Sequence, residues 1–384
     1  MRVAFLILNE YSGKGGVEKV LCTVTEYCEK SGVEPYIYFL QAPIDRSYLE
    51  NFENCYVAPE KYSKFSLMLK PLLPKFVWGI IKRKVLQDSL RELLLVLEKD
   101  GVEAIVNLNI SRRWFGCIEI FQMFKKKHPR IPLLLWPHGT MGNLRQRKRK
   151  SLVSFLGLFD YFLAISSGIA EEISELVASA KIKVVYNPVE NSALLPRSQG
   201  NRFVYVGRMH PKKRVFEMVK ILSKVEGEWQ LDIIGAPNSE EEKKYVDHIK
   251  KYIYDHSLEK KIIWHGWQEV PFSVLQDASA LLLHSLTEGL PLVLIEAIMR
   301  GIPCISSDCL TGPRDIIVGG ENGWLYDVYD EERLLKILQG IVNGDLELPS
   351  QITVQNSARK FSIEVVCDNI ISGIEEAIEI KNQQ

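Results

Sequence analysis

Short apolar runs recur along the chain, separated by stretches in which apolar residues return with helical spacing. The runs at 3–8, 35–40, 104–108, 133–136, 161–165 and 183–186 predict strands in the first half. Those at 203–206, 230–234, 262–264, 280–284 and 303–306 predict strands in the second. Helical spacing is clearest at 17–30, 85–99, 167–176, 214–225, 240–256 and 292–300. Strands that alternate with helices imply parallel sheets covered on both faces. Two such series in one chain predict an α/β protein of two doubly wound, Rossmann-like domains. Asn187 and Pro188 stop the first series, and Pro196, Ser198, Gln199 and Gly200 read as a polar linker. The expected division is 1–187, 188–361 and a last helical stretch, 362–384, which no strand follows and which is expected to pack back on the first domain. The carboxyl ends of both strand series would then face a central cleft, where ligands of such sheets bind.

At 384 residues the chain has the length for two ordinary domains, and its 46% hydrophobic and 25% charged residues suit a soluble globular protein. The net charge is zero, but positions 1–185 hold 27 Lys and Arg against 19 Asp and Glu, whereas 186–384 hold 21 against 29. A basic first half implies an anionic partner or surface there. Basic clusters at 82–84, 112–113, 125–127 and 145–150 all fall in it, and the last precedes the apolar stretch 151–159. Basic beside apolar sequence suits an anionic membrane or a phosphorylated lipid acceptor, and it suits solvated helix faces equally. Nucleic acid is not an expected partner, because no binding module is readable and the second half is acidic. Seven scattered cysteines with no CxxC pair point to buried free thiols in a reducing cytoplasm, not to a disulfide framework or a zinc site. No secretion signal is readable, and the longest apolar run, 65–81, is broken by Lys70, Pro71, Pro74 and Lys75. No transmembrane helix is therefore expected, and the location expected is cytoplasmic, with peripheral contact at the inner face of the plasma membrane.

Three stretches carry candidate chemistry. The first strand runs into YSGKGGVEKV at 11–20, which looks like an ATPase phosphate loop. That loop needs a second glycine where Glu18 stands and a hydroxyl where Val20 stands, so the ATPase reading fails. What remains is a tight turn in which Gly15 and Gly16 let backbone come close to a ligand, or simply join strand to helix. The second stretch is YVGRMHPKKRV at 205–215. Arg208 and Lys213 flank a helix start just after Gly207, and a guanidinium with an ammonium beside free helix amides can hold a diphosphate. A solvated basic helix start has the same composition. The third is TEGLPLVLIEA at 287–297. Pro291 suits the first turn of a helix, leaving the amides of Leu292 and Val293 free for an anion. Glu288 at the helix mouth could accept hydrogen bonds from sugar hydroxyls and Glu296, in the second turn, from a ribose diol. The residues alone are equally a helix start with one favourable acid and one solvated one. No metal-ligand cluster and no paired aspartates are readable.

A Gly-Arg with a following lysine, then Glu-x7-Glu some eighty residues on, with Gly-Gly-x-Glu after the first strand, resembles the retaining glycosyltransferases of the two-Rossmann-domain type (GT-B, family 4). The match spans nearly the whole chain. WPH at 136–138, AISSGI at 164–169, VYNPV at 185–189, WHGWQ at 264–268 and GIPCISSDC at 301–309 are similar to the bacterial lipopolysaccharide-core 1,6-galactosyltransferases within that family. The resemblance implies that Arg208 and Lys213 hold a UDP diphosphate, Glu296 the ribose, and Glu288 with the backbone of Gly289, Leu290, Leu292 and Val293 the donor sugar and phosphate. It implies that His138 reaches the donor sugar, that Trp267 borders the uracil, and that Gly15, Gly16 and Gly207 shape the walls. It implies transfer of a hexose, galactose by the narrower likeness, from a UDP-sugar to a lipopolysaccharide-type or lipid-linked glycan, with no metal or other cofactor. Another UDP-hexose, a UDP-N-acetylhexosamine, or a non-catalytic sugar-nucleotide-binding subunit are the alternatives. The chain has Glu-Gly-Leu-Pro where many members have Glu-Gly-Phe-Gly, which bears on donor-sugar shape.

Overall fold

The computed structural model describes residues 1–9, 15–59, 74–108, 110–198 and 201–383. The chain divides into two compact units, Met1–Pro188 with Ile363–Gln384, and Val189–Ser362. In the first, the strands are β1 (Arg2–Ile7), β2 (Glu34–Phe39), β3 (Cys55–Val57), β4 (Ala104–Asn107), β5 (Leu133–Leu135), β6 (Tyr161–Ala164) and β7 (Ile182–Val184). They form a parallel sheet of order β3-β2-β1-β4-β5-β6-β7. The second unit holds β8 (Arg202–Val206), β9 (Gln230–Ile234), β10 (Ile262–Gly266), β11 (Ala280–Leu283), β12 (Cys304–Ser307) and β13 (Gly323–Tyr326). Their order is β10-β9-β8-β11-β12-β13, again parallel throughout. The order reverses between β1 and β4 in one sheet and between β8 and β11 in the other. Loops leaving the carboxyl ends at such a reversal diverge to opposite faces and leave a crevice.

Central strands read as unbroken apolar runs because helices cover both faces. Val3, Ala4, Phe5, Leu6 and Ile7 of β1 are all fully buried. The strands that the pattern does not announce, β3 and β13, lie at sheet edges, where only one neighbour and fewer buried positions shape the sequence. The expected strand at 183–186 stops at Val184, and Tyr186 sits at φ 53°, a left-handed conformation that no strand continues through. The helix expected at 85–99 runs from Lys75 to Lys99, with Pro74 as its N-cap, so Pro74 marks a helix start. The polar stretch around Pro196 is not a free tether. Arg197 bridges Ala278, the Ala278 amide donates to Pro196 O at 3.1 Å, and Arg197 Nη2 donates to Pro349 O at 2.8 Å, so this stretch belongs to the second unit. Gln199 and Gly200 lie outside the described residues.

The apolar stretch after the basic run at 145–150 is core. Leu152, Phe155, Leu156, Leu158 and Phe159 are buried, while Lys148, Arg149 and Lys150 are exposed. Charge alone, without an inserting apolar face, is what this segment offers an anionic surface. Among the described residues no helix is long and apolar enough to cross a membrane. The seven cysteines are unpaired; five are buried, Cys22 is half-buried and Cys55 is exposed, so the expectation of burial fails at those two.

The last helix, Ile363–Asn382, lies on the first unit. Tyr161 Oη and Lys183 Nζ both donate to the Glu376 carboxylate at 2.5 Å, Tyr27 Oη donates to Asp368 at 2.7 Å, and Lys381 pairs with Asp160 at 2.9 Å. Gly373 lets the helix come close, since a Cβ there would stand 2.7 Å from Leu163 Cδ2. Lys183 and then Tyr161 hold the Glu376 carboxyl below its ordinary range. A depressed carboxylate contributes stability above its unfolded pKa and loses it as the pH falls through the folded one. Glu376→Ala should thus cost about 1 kcal/mol near neutrality, discounted because the carboxylate is half exposed. The gap to wild type should close in denaturant melts below the ordinary carboxylate range. A gap that persists there would mean that packing, not this carboxylate, secures the helix.

Candidate functional site

The second unit builds its site at the carboxyl ends of β8 and β11, beside the reversal in strand order. After β8 the Gly207 amide donates to Ile234 O at 3.0 Å, and Tyr205 Oη donates to Arg208 O at 2.9 Å. Gly207 has no space for a side chain, because its Cβ would lie 2.8 Å from Tyr205 Oη. These two bonds fix the backbone on either side of the Gly207–Arg208 peptide, and Arg208 is exposed. A single turn of 3-10 helix, Pro211–Lys213, follows, with His210 Nδ1 accepting the Lys212 amide at 3.1 Å. The Leu286 amide donates to Lys212 O at 2.9 Å and ties this turn to the loop after β11.

That tie places Lys213 against Glu288. Lys213 Nζ stands 2.5 Å from Glu288 Oε1, with the two side chains 21% and 11% exposed. Sequence reasoning assigned these residues to separate parts of a ligand and did not foresee that they pair. The pairing does not exhaust the ammonium, which has three donors and gives one to the carboxylate. Thr311 Oγ1 donates to Glu288 O and fixes the peptide that follows. Gly312, at φ +89°, brings its loop against the Gly289 carbonyl, where a Cβ would stand 2.6 Å away.

The helix after this loop is Leu292–Ile298, and Pro291 is its N-cap, one residue earlier than the first-turn position expected. The Leu294 amide reaches Pro291 O at 3.0 Å, and the amides of Leu292 and Val293 precede the first helical carbonyl. Leu290 is buried and offers only its backbone. Glu296 is half-buried in the second turn, and its carbonyl accepts from Arg300 Nη1 at 2.7 Å. Trp267 follows the edge strand β10 and is 61% exposed, whereas Trp264 lies half-buried in β10 with Lys250 Nζ 5.6 Å from its ring. The structure therefore brings together Gly207, Arg208, Lys213, Glu288, Gly289, Leu290, Leu292 and Val293 around one strand-order reversal. Glu296 lies one helical turn beyond and Trp267 two strands over.

The first unit carries the remaining candidates. Gly15 caps the helix Gly16–Lys30 and Gly16 is its first residue. Glu18, third in the helix, folds its carboxylate back so that a Cβ on Gly15 would collide with it. Glu18 thus occupies the third helical position, the one that the glutamate of a capping box takes. Lys14 and Gly13 lie outside the described residues. His138 follows β5, with its ring centroid 4.6 Å from that of Trp136. His138 Nε2 and Trp136 Nε1 are both enclosed without a hydrogen-bond partner among the described residues. Burial pushes the His138 pKa down to about 3, so at neutral pH the ring is uncharged and can exchange hydrogen bonds with a hydroxyl but not act as a cation. Among the described residues no group of His, Cys, Asp and Glu could hold a metal ion.

Known proteins show the same plan. The model of Glycosyl transferases group 1 matches residues 187–360 and that of Glycosyltransferase Family 4 matches residues 14–192. The chain is 31% identical over 367 residues to the lipopolysaccharide 1,6-galactosyltransferase of Salmonella typhimurium, covering 92% of each. It is 30% identical to that of Escherichia coli, covering 91% of each. A solved apo form of the lipopolysaccharide outer core galactosyltransferase WaaB superposes with a TM-score of 0.80 at 28% identity, over 98% of this chain and 99% of that one. Full-length identity at this level, two successive family matches and two parallel-sheet Rossmann-like units make this chain a glycosyltransferase of family 4, with the GT-B fold.

Proposed function

We propose that this enzyme transfers galactose from UDP-galactose to a lipopolysaccharide core glycan, with retention at the anomeric carbon. The observation that carries the reading is the Lys213–Glu288 pair, which joins the segment after β8 that also carries Arg208 to the loop that leads to the amides of Leu292 and Val293. Cleaving the sugar–phosphate bond leaves negative charge on UDP and positive charge on the sugar. Arg208, Lys213 and the two amides face the first, preorganised by the hydrogen bonds that fix their loops. In the proposed step the bond from the sugar's anomeric carbon to the diphosphate oxygen breaks, and its electron pair leaves with UDP. The acceptor oxygen bonds that carbon from the same face, and its proton passes to the departing phosphate. Glu288 orients Lys213 and accepts from a donor-sugar hydroxyl, Glu296 holds the ribose and Trp267 borders the uracil. The galactose donor and lipopolysaccharide acceptor are supported by the two full-length relatives that carry those words in their names.

Hydrolysis of a panel of UDP-sugars by the purified protein, with and without EDTA, tests donor and metal together. UDP-galactose should be cleaved fastest, and EDTA should change its rate by less than about two-fold, since side-chain cations and amides are assigned the metal's work. Preference for UDP-glucose or UDP-N-acetylglucosamine would overturn the donor. Loss of activity in EDTA that manganese restores would overturn the metal-free step.

A further inference from the structure

Arg214 follows Lys213 and stands at φ 52°, ψ 37°, a left-handed conformation that L-residues other than Asn and Asp seldom adopt. It is both the C-cap of the Pro211–Lys213 turn and the N-cap of the helix Val215–Leu222. A strained residue persists only where its surroundings hold it. Here the side chain is what is held. Arg214 Nε donates to His284 Nε2 at 3.2 Å, Nη2 reaches Glu331 Oε1 at 3.4 Å, and the guanidinium carbon lies 5.7 Å from the Tyr329 ring centre. His284 is fully buried just after β11, four residues before Glu288. Because Nε2 accepts from Arg214, the ring proton is on Nδ1, which donates to Tyr326 Oη at 2.8 Å. One guanidinium thus joins the turn that carries Lys213 to the segment leading to Glu288 and to the first residue of the helix Glu331–Asn343, and His284 passes the link on to Tyr326 at the end of β13.

We propose that Arg214 is a positioning residue for the anion-binding end of this site: its left-handed backbone turns Lys213 toward Glu288, and its forked side chain locks that turn to His284 and Glu331. The inference rests on the reading of Lys213 as a diphosphate ligand. A residue that acts through Lys213 has nothing to contribute once Lys213 is gone, whereas a merely structural one lowers stability and leaves binding by folded molecules intact. Lysine at this position keeps the charge but cannot bridge two partners with a planar fork. Glycine keeps the left-handed backbone at lower strain and is expected to fold.

UDP is titrated calorimetrically into wild type, Lys213→Ala, Arg214→Gly, Arg214→Lys and the double variant Lys213→Ala/Arg214→Gly. Lys213→Ala should weaken UDP about ten-fold, Arg214→Gly and Arg214→Lys each about five- to ten-fold, and the double variant no more than Lys213→Ala alone. Wild-type affinity in Arg214→Lys would mean that Arg214 acts by charge and would overturn the inference. So would additive losses in the double variant, or wild-type affinity in Arg214→Gly while Lys213→Ala is weakened. Wild-type affinity in Lys213→Ala itself would instead remove the diphosphate reading beneath it.

Discussion

Lys213→Ala and Arg208→Ala should each lower turnover about 100- to 1,000-fold, the usual effect of deleting one preorganised donor to a developing anion. The two substitutions differ in what else they disturb, and that difference makes the pair informative. Lys213 is 21% exposed and paired with a Glu288 that is 11% exposed, so its loss leaves a nearly buried carboxylate without its counter-ion. A lower thermal midpoint should accompany the lost turnover. Arg208 is exposed, and among the described residues only its backbone carbonyl is engaged, by Tyr205 Oη. Its removal should cost rate with no comparable loss of stability. Steady-state kinetics with UDP-galactose, alongside thermal melts, separate the cases. Turnover within a few-fold of wild type in both variants would sink the assignment of this end of the site to the diphosphate.

How far the sequence carries this site is visible in individual residues. Gly207, Arg208 and Lys213 follow a clean apolar run, and the run marks the strand end that aims them. Both sheets are legible for the same reason, except where β3 and β13 lie at edges and half their surface is free of packing demands. The Lys213–Glu288 contact was not legible. It depends on a backbone hydrogen bond between Leu286 and Lys212, seventy-odd residues apart, and no local pattern encodes it. Nor was Arg214: among neighbouring basic residues nothing in its identity distinguishes the one that turns left-handed. His284 is the partial exception. It ends the run LLLH at 281–284, and an imidazole closing a fully apolar strand is a residue whose partner is worth seeking. Glu18 stands where a phosphate loop needs glycine, and that its carboxylate folds back against Gly15 emerges only from the three-dimensional arrangement.

Asp232→Ala should be the most damaging single change to the second unit that touches none of the ligand candidates. Asp232 sits in the middle of β9, between the apolar Leu231 and Ile233, and its side chain is fully buried. Such a carboxylate is tolerated only if its oxygens are satisfied. Arg202 on the neighbouring strand β8 donates through Nε at 2.5 Å and Nη2 at 3.0 Å, a bidentate contact. His265 on β10, the strand on the other side, lies with Nε2 2.6 Å from Asp232 Oδ1. One carboxylate therefore cross-links three adjacent strands through side chains, in addition to their ladder of backbone bonds. Asp232 raises the Arg202 pKa further above its already high ordinary value, so that cation is always present to be left behind. Removing the acid leaves the partly buried guanidinium with Asp277, 3.5 Å away, as its one remaining counter-ion among the described residues. Breaking a buried ion pair from one side costs about 3–5 kcal/mol. In a unit of this size that corresponds to a fall in thermal midpoint of roughly 6–20 °C. Asp232→Asn keeps the shape and part of the hydrogen bonding and should fall between alanine and wild type. A loss below about 1 kcal/mol in Asp232→Ala, measured by denaturant unfolding, would show that water or Asp277 takes over the role and that the three-strand link is not structural.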